Sequence, residues 1–506
     1  MKESFQMNNS PQSTSYGGIF KSTFLFSFVQ VIRILVGVIK NKIVAVLLGA
    51  EGMGIMSIFQ NAMNFIKTGA GLGISQSAVK DISEANASED RNRISRTISI
   101  VLRVVLLTSL LGAAITIIMS PLLSRWGFGD SKYTLSFILL GIAVFFEVFV
   151  ENQLAILKGM RQLQSLAKAS IWGSLVGLVT GVPLYYLLGV KGIVPSFIVT
   201  AFTIFLVTRY YINKVNFDKT DIPFKQVMKE STPMVKMGIS LMLVSLIGTL
   251  FALIIAAYLR SHGGLNIVGY YNAGEVIVGT YIGVIITAMS TDYYPRISAV
   301  NNDNIKLTEE VNAQSEVGLL MAFPLVVIFV FFSPVFINIL YTPDFQASIN
   351  YTDFAIIGSV IIICSNCMGM ILLAKQASSI FLVSVIGQRI ICLAAFILLY
   401  QLFGLKGLGY AYIFLGVLHI VLMSIIMKVK YNIQFNTKVL IQLLLVISVI
   451  LISRSVRGLE NVYWRYSLGF TLIFMTVVYS YYYMKKYMGI DIISSVRSRV
   501  KNKINK

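Results

Sequence analysis

The chain has 506 residues, of which 56% are hydrophobic and 13% are charged, and its formal net charge is +20. A water-soluble enzyme of this length needs a much more charged surface, so the composition excludes that class. Apolar runs of about 20 residues, enough to cross the hydrocarbon core of a bilayer, recur along the chain. They lack the strict alternation of barrel strands. The sequence therefore predicts an all-α polytopic membrane protein.

In chain order, the sequence predicts a short unstructured cytoplasmic tail, residues 1–18, followed by about 14 transmembrane helices. The tail is polar and lacks the features of a signal peptide. Helix boundaries follow from apolar runs and the polar clusters that interrupt them. The predicted helices start near residues 19, 54, 96, 134, 168, 191, 234, 266, 315, 352, 378, 406, 437 and 464.

The positive charges predict the orientation of the chain. Lys and Arg concentrate in alternate loops, which the positive-inside rule assigns to the cytoplasm, so both termini are predicted to be inside. The basic tail, residues 488–506, follows a membrane exit directly, so we interpret it as a lipid-headgroup anchor rather than a nucleic-acid arm. No nucleic-acid partner is expected. No predicted outer loop exceeds about 15 residues.

An internal repeat predicts two lobes of six helices each, and the two lobes have the same orientation in the membrane. Gly49 and Gly54 align with Gly264 and Gly269 at an offset of 215, and Leu157-Lys158 aligns with Ala374-Lys375 at an offset of 217. An even number of spans separates the copies, so both have the same orientation. The predicted segments are an N-lobe at 19–212, a cytoplasmic linker at 213–233, a C-lobe at 234–430 and an extra helix pair at 431–487.

Basic residues inside apolar helices are the main functional candidates. A polar stripe along the first helix includes Arg33 and Lys40, and Lys67 lies on a similar stripe in the second. Charges at this depth are costly unless they face a partner or an aqueous cavity, and cations favour an anionic ligand such as a diphosphate. We expect a cationic cavity lined by Arg33, Lys40, Lys67, Lys236 and Arg389. One alternative is structural pairing of Arg33 and Lys67 with Glu147 or Glu151 of the fourth predicted helix. The other is snorkelling of Lys40 and Lys236 to the headgroups.

Three intramembrane acids, Glu147, Glu151 and Glu275, are candidates for coupling to H⁺ or Na⁺, with helix-pair salt bridges as the alternative. Asp292 precedes Arg296 by four residues, a spacing that favours a local ion pair. The three cysteines and two histidines lack metal-ligand spacing, so no metal and no cofactor beyond a coupling ion are expected. No nucleophile–base constellation suggests an enzyme.

The sequence resembles the Wzx-type O-antigen and oligosaccharide-lipid translocases, the polysaccharide transport group of the MOP superfamily, which also holds MATE exporters and the lipid II flippase. The matching segments are RILVGVIKNKIVAVLLGAEGMGI, GAGLGISQSAVKDISE, ILKGMRQLQSLAKASIWGSLVG, VGYYNAGEVI and YPRIS. Arg33 and Lys42 match basic positions of the family's first helix. Lys158 and Arg161 match its LxKGxR loop and, with Arg296, are assigned to headgroup contact or a cytoplasmic gate.

The resemblance implies two six-helix lobes around a central cationic cavity that opens to one side at a time. It implies transport of an undecaprenyl-diphosphate-linked oligosaccharide across a bacterial inner membrane, with a polysaccharide polymerase and a chain-length regulator as further partners. Members of this family have about 12 helices, so the last pair here departs from the pattern. Two alternatives remain: a cation-coupled multidrug exporter, which needs an acidic first-lobe cavity, and a polymerase or ligase, which needs a large outer loop.

Overall fold

A computed structural model describes residues 12–215, 217, 218 and 220–488, and the described chain is helical nearly throughout. Nine of its helical stretches combine the length and hydropathy needed to cross a membrane. The predicted all-α polytopic fold is confirmed. The helices are α1 (Gln12–Ala70), α2 (Ile74–Ala87), α3 (Arg91–Ile118), α4 (Ser120–Phe128), α5 (Thr134–Gly159), α6 (Leu163–Leu188), α7 (Ile193–Ile212), α8 (Phe224–Glu275), α9 (Gly283–Ala299), α10 (Asn304–Phe331), α11 (Ser333–Leu340), α12 (Ile349–Ala374), α13 (Ser378–Phe403), α14 (Leu405–Tyr431), α15 (Thr437–Arg457) and α16 (Val462–Met488).

Two of these helices are bent. α1 supplies two membrane-length rods, and the rod that follows the bend of α8 continues through Val276–Ile282 into α9. The bends lie at Gly49 of α1 (φ 65°, ψ −168°) and at Gly264 of α8 (φ 80°, ψ 175°). Both conformations have positive φ, which glycine adopts without the steric cost of a Cβ atom. With the ten other helices of 20 residues or more, the described chain contains the roughly 14 rods that hydropathy predicts.

The predicted repeat is visible in the backbone. The bounds of α5 and α12 differ by 215 residues at both ends, as do those of α6 and α13. After α5 and α12 the chain turns through a left-handed residue, Arg161 (φ 54°) in the first copy and Gln376 (φ 57°) in the second. The following residues, Gln162 and Ala377, donate their N–H groups to the carbonyls of residues five positions earlier.

This helix cap corrects one part of the sequence alignment. The capping hydrogen bonds make Leu157 equivalent to Leu372, at an offset of 215, because both carbonyls accept the same bond. The predicted pairing of Leu157-Lys158 with Ala374-Lys375 at an offset of 217 is therefore wrong by two residues. Matching of similar side chains misled the alignment, whereas the left-handed turn fixes the register.

Further repeat signals escaped the sequence analysis. Asp90 caps the N-terminus of α3 and Asp303 caps that of α10, each accepting from backbone N–H groups of the first turn. At the other ends of these helices, short α4 and α11 both begin with a Ser-Pro pair, at Ser120 and Ser333. Both pairs of positions are 213 residues apart, so the repeat extends over helices with low sequence similarity.

Two predicted segment boundaries fall inside described helices. The helix α1 begins at Gln12, within the segment 1–18 that the sequence assigns to a tail, and residues 1–11 lie outside the described chain. The irregular linker ends at Pro223 because α8 begins at Phe224, where Val227 and Met234 are buried in a hydrophobic cluster with Ile222. The basic tail beyond residue 488 also lies outside the described residues.

By their internal contacts the residues group into two units. The first unit is Met1–Leu48 with Ile55–Ala257, and the second is Gly49–Gly54 with Tyr258–Lys506. These units are grouped by contacts and not by the repeat, so the predicted lobe boundaries stay a prediction.

In the first unit, residues 218–222 of the linker are hydrogen-bonded along α3, and we call this segment the strap. Ser95 and Ser99 accept hydrogen bonds from the backbone N–H groups of Asp218 (3.1 Å) and Thr220 (3.2 Å). Arg103 pairs with Asp221 at 2.5 Å and donates to the Ile222 carbonyl. At the start of α3, the Arg96 guanidinium hydrogen-bonds Glu230 of α8 and lowers the pKa of that carboxyl.

We expect Arg103→Gln to loosen this strap. The substitution removes the guanidinium fork that holds both the side chain and the backbone of the linker, so segment 213–223 should be cut several-fold faster by trypsin at Lys214. Limited proteolysis of the detergent-purified protein measures the rate. Arg93→Gln on the same helix, an exposed residue whose side chain does not bond the strap, is the matched control. Equal cleavage of Arg103→Gln and the wild type would contradict the strap.

In the second unit the extra helix pair packs on α10 and α12. At the end of α15 nearest α14, the Asn312 side chain bridges the backbone of Gln434 (3.2 Å) and Asn436 (2.8 Å). The α16 backbone rests on the Phe331 ring, because a Cβ at Gly469 would lie 2.0 Å from it. The pair is therefore an integral part of the second unit.

The other end of α15 is held by a buried carboxylate. Asp353 of α12 is 1% exposed and accepts a bidentate interaction from Arg457 at 3.0 and 2.6 Å. Arg454 donates to the same carboxylate at 3.2 Å, and Ser333 at 3.3 Å. The Arg457 guanidinium also donates to the Val330 carbonyl at 2.6 Å. This cluster joins α15 to α10, α11 and α12.

Candidate functional site

The main candidate site is a polar cavity inside the first unit, lined by α1, α5, α6 and α7. Its volume is about 430 Å³. Five of the predicted site residues line it together: Arg33, Lys67, Glu147, Glu151 and Lys158. The remaining polar lining comes from hydroxyls on α6 and α7, at Ser170, Ser174 and Thr208.

The acids and bases of this cavity are partly paired. Lys67 Nζ lies 3.0 Å from Glu147 Oε2, and both side chains are roughly one-third exposed or less. Ser75 donates to Glu151 at 2.9 Å. The structural alternative considered for Lys67, pairing with a carboxylate of the fourth span, is thus what the geometry shows. It does not exclude ligand binding, because an anion can compete for a partly hydrated lysine.

Arg33 has a different environment from Lys67. Its side chain is exposed into the cavity, and among the described residues no carboxylate lies within ion-pairing distance of it. The described lining carries three cations and two carboxylates, so it has a positive surplus. A planar guanidinium in this setting is suited to phosphate oxygens.

A second cavity adjoins the first. Its volume is about 230 Å³, and it lies toward the hairpin that joins α6 to α7. Arg33, Ser174 and Ile204 line both cavities, so Arg33 stands at their junction. Lys40 lines the second cavity, with its ammonium 5.5 Å from the centre of the Phe197 ring.

The second-unit candidates form a separate cluster. Glu275 accepts a hydrogen bond from Tyr351 of α12 at 2.5 Å and interacts electrostatically with Arg389 of α13. Directly after Glu275 the helix widens into a π-helical segment, Val276–Ile282, a feature often found at functional sites. The prediction that Arg389 shares one cavity with Arg33 and Lys67 stays a prediction.

The other predicted residues, apart from Lys158, are not part of the lining of these two cavities. Lys236 is exposed on α8, and Arg161 is exposed in the left-handed turn after α5. Lys158 both lines the first cavity and ends α5, beside the turn assigned to a gate. Arg296 pairs with Glu310 and Gln314 of α10. Asp292 was the expected partner of Arg296, and its side chain is not among those that the structure describes.

Sequence reasoning missed the hydroxyl lining of α7. Ser196, Thr200 and Thr208 lie on one face of that helix, with Ile204 between them, and all line one cavity or the other. Their spacing of four residues was a readable signal, because a helix places such residues above one another. The partner of Glu275, Tyr351, left no such signal since it lies 76 residues away in sequence.

Metal coordination finds no support in the described chain. No group of three or more His, Cys, Asp or Glu side chains there is arranged to hold a metal ion. Cys364, Cys367 and Cys392 are free and buried. Burial agrees with the interpretation of the cysteines as packing residues.

Comparison with solved structures shows the fold. The structure titled "Lipid II flippase MurJ, inward closed conformation" matches with a TM-score of 0.64 at 13% identity, covering 92% of this chain and 100% of that one. An inward-facing multidrug resistance MATE transporter of the MOP superfamily matches with a TM-score of 0.60 at 16% identity, covering 78% and 95%. A structure of the MATE multidrug transporter DinF-BH matches with a TM-score of 0.59 at 17% identity, covering 81% and 96%.

Comparison of sequences shows the family. No curated protein matches the chain significantly. A family model described as "Polysaccharide biosynthesis protein" matches residues 43–350, which is more than half of the chain. This match confirms the predicted resemblance to a polysaccharide family, and the solved structures show that the fold is similar to theirs. The chain is therefore a multi-pass membrane protein that belongs to the polysaccharide biosynthesis protein family.

Proposed function

We propose that this protein is a flippase for an undecaprenyl-diphosphate-linked oligosaccharide, carried from the cytoplasmic to the periplasmic leaflet of a bacterial inner membrane by alternating access. The observation that carries the proposal is the position of Arg33. Its guanidinium lies within the apolar bundle and lines a polar cavity, and no carboxylate of the described chain is within ion-pairing distance of it. A cation at this depth is costly in lipid but is tolerated in a polar cavity, where it is available to bind an anion.

The neighbouring Lys67–Glu147 ion pair allows a bound anion to replace the carboxylate as the partner of Lys67. A diphosphate bound at Arg33 competes with Glu147 for Lys67, whose ammonium lies 3.0 Å from that carboxylate. The released Glu147 is then available to a proton or a sodium ion. Binding of the anion and uptake of a cation are coupled in this scheme, and Glu151 and Glu275 remain further candidates for the coupling ion.

A multidrug exporter for cationic compounds fits this cavity less well. The two carboxylates of α5 suit a cation, but three basic residues line the same space. A bound organic cation meets Arg33 and Lys67 as like charges, which is unfavourable where little water screens them. We propose no catalytic activity, because none of the described residues that line the cavity is a histidine or a cysteine.

Arg33→Ala is expected to lower surface glycan at least tenfold, because it removes the cation proposed to bind the diphosphate. Arg33→Lys should retain partial activity, since it keeps the charge and loses the fork of donors. The measurement is surface glycan in a strain whose own translocase is deleted and whose glycan the wild-type protein exports, with membrane levels checked by blotting.

Arg93→Ala, an exposed arginine outside the cavities, is the matched control and should behave as the wild type. Accumulation of the lipid-linked glycan in the inner leaflet of Arg33→Ala cells would locate the block at flipping. Normal surface glycan in Arg33→Ala would make the arginine structural and remove the main support for the proposal.

A further inference from the structure

The second cavity of the first unit, which we call the outer chamber, has an unusual polar lining. Two cations, Arg33 and Lys40, face it, and none of the described residues that line it is a carboxylate. Its other polar groups are hydroxyls on α6 and α7: Ser174, Tyr185, Ser196 and Thr200. A space lined by positive charges and hydroxyl donors favours an anion.

Two of these hydroxyls have no hydrogen-bond partner among the described residues. Tyr185 and Ser196 are each 1% exposed, and the Tyr185 Oη and Ser196 Oγ atoms make no hydrogen bond within the described chain. A buried hydroxyl without a partner costs roughly 1–3 kcal/mol, so such groups normally bind a ligand or an ordered water. Both residues line the chamber while their oxygen atoms are closed to solvent, so an anion in the chamber is reached by rotation of these side chains toward it.

Glycines create the room for these groups. A Cβ at Gly181 would lie 2.5 Å from Thr200 Oγ1 and 2.8 Å from Ser196 Oγ, so the two hydroxyls fit only because this side chain is absent. Gly177 and Gly37 line the same chamber. Its volume of about 230 Å³ is several times the ~30 Å³ that one water molecule occupies in the liquid, enough for a phosphate or diphosphate group.

We infer that the outer chamber is an oxyanion site that takes a phosphate group, with Arg33 and Lys40 supplying charge and Tyr185 and Ser196 donating hydrogen bonds. Arg33 lines both cavities, so it is able to contact an anion on either side of the junction. The inference rests on the proposed function in one respect, that the phosphate belongs to the carried lipid. In that case the chamber is a second position of the diphosphate during transport.

The test measures binding to the purified full-length protein in nanodiscs of neutral lipid. The probes are inorganic pyrophosphate and farnesyl diphosphate, followed by titration calorimetry and by the shift in melting temperature. Tyr185→Phe with Ser196→Ala should weaken binding at least about fivefold, since two donors to the anion are lost. Without probe, the double variant should melt no lower than the wild type, because the removed hydroxyls have no partner there.

Tyr186→Phe is the matched control, because this neighbouring tyrosine is 76% exposed. Weaker binding in the double variant and not in the control supports the site. Tighter binding of farnesyl diphosphate than of pyrophosphate then points to a lipid as the source of the phosphate. Equal affinity for the two probes points to the free anion as the source. Unchanged affinity in the double variant, or no binding of either probe to the wild type, would overturn the inference.

The two proposals fail in different ways. Loss of binding in Arg33→Ala with unchanged affinity in the Tyr185→Phe, Ser196→Ala variant would leave the flippase proposal standing and remove the outer chamber from it. Binding that depends on both hydroxyls, in a protein that does not flip a lipid-linked glycan, would preserve the oxyanion site and remove the flippase proposal.

Discussion

Replacing Gly54 by alanine is expected to prevent the protein from folding into a monodisperse form. A Cβ on Gly54 would lie 2.0 Å from the Leu265 carbonyl oxygen, and a Cβ on Gly269 would lie 2.1 Å from the Ala50 carbonyl oxygen. Both contacts are with backbone atoms, so no side-chain rotation relieves them. Small residues allow helix backbones to approach this closely within a membrane.

The expected cost is on the order of 3 kcal/mol or more, because two backbones must separate by more than 1 Å. Gly54 and Gly269 are 215 residues apart, and each faces the carbonyl of the residue four positions before its counterpart. The repeat therefore predicts equal effects for Gly54→Ala and Gly269→Ala. Size-exclusion chromatography and the melting temperature of the purified variants measure them.

Gly248→Ala is the matched control for this pair. It also lies in a membrane helix, but a Cβ there meets nothing within 4 Å, so the substitution should be neutral or stabilising by up to about 1 kcal/mol. Normal yield and stability of Gly54→Ala would show that the two helix backbones are farther apart than described here.

Asp353→Asn is expected to destabilise the protein by about 3 kcal/mol, because it leaves the guanidinium of Arg457 beside a neutral amide in a buried position. The carboxylate also holds Arg454 and Ser333, so three side chains on α11 and α15 lose a shared partner. The change should loosen α15 in particular. Limited proteolysis near the segment between α14 and α15, combined with the melting temperature, separates this local loosening from general unfolding.

The double variant Asp353→Leu, Arg457→Met tests whether the loss of stability comes from the unpaired guanidinium of Arg457. Replacing a buried ion pair by apolar side chains is often neutral or stabilising, so this variant should recover much of the lost stability. Arg454→Ala is the comparison, because Arg454 is more exposed than Arg457 and its loss should cost less. Equal damage from Asp353→Asn and from the double variant would contradict the ion-pair explanation.

Docking of the last helix pair was absent from the sequence interpretation. The hydropathy pattern predicted where α15 and α16 lie in the chain, and the predicted start at residue 437 matches Thr437. Nothing in that pattern indicated their partners, since Asp353 and Arg457 are 104 residues apart. An aspartate in the first turns of an apolar helix was the one available signal, because a buried acid needs a partner.

The candidate site was also predictable only in part from the sequence. The polar stripe that contains Arg33 and Lys40 follows from the helical period, which is a local property. The pairing of Lys67 with Glu147 was one of the alternatives that the sequence left open, and the choice between Glu147 and Glu151 depends on how α5 is rotated against α1. Helix rotation is set by packing of the other face, to which hydropathy is blind.

By itself, the sequence determined the membrane class, the number of helices, the family resemblance and the glycine repeat that bends α1 and α8, because each depends on composition, local period or identical residues at a fixed offset. Tertiary structure alone decided that Arg33 lines two cavities and that Asp353 anchors α15. It also decided that the Tyr185 and Ser196 hydroxyls have no hydrogen-bond partner in the described part of the chain. These features depend on contacts between residues far apart in the chain, which packing creates and no local pattern records.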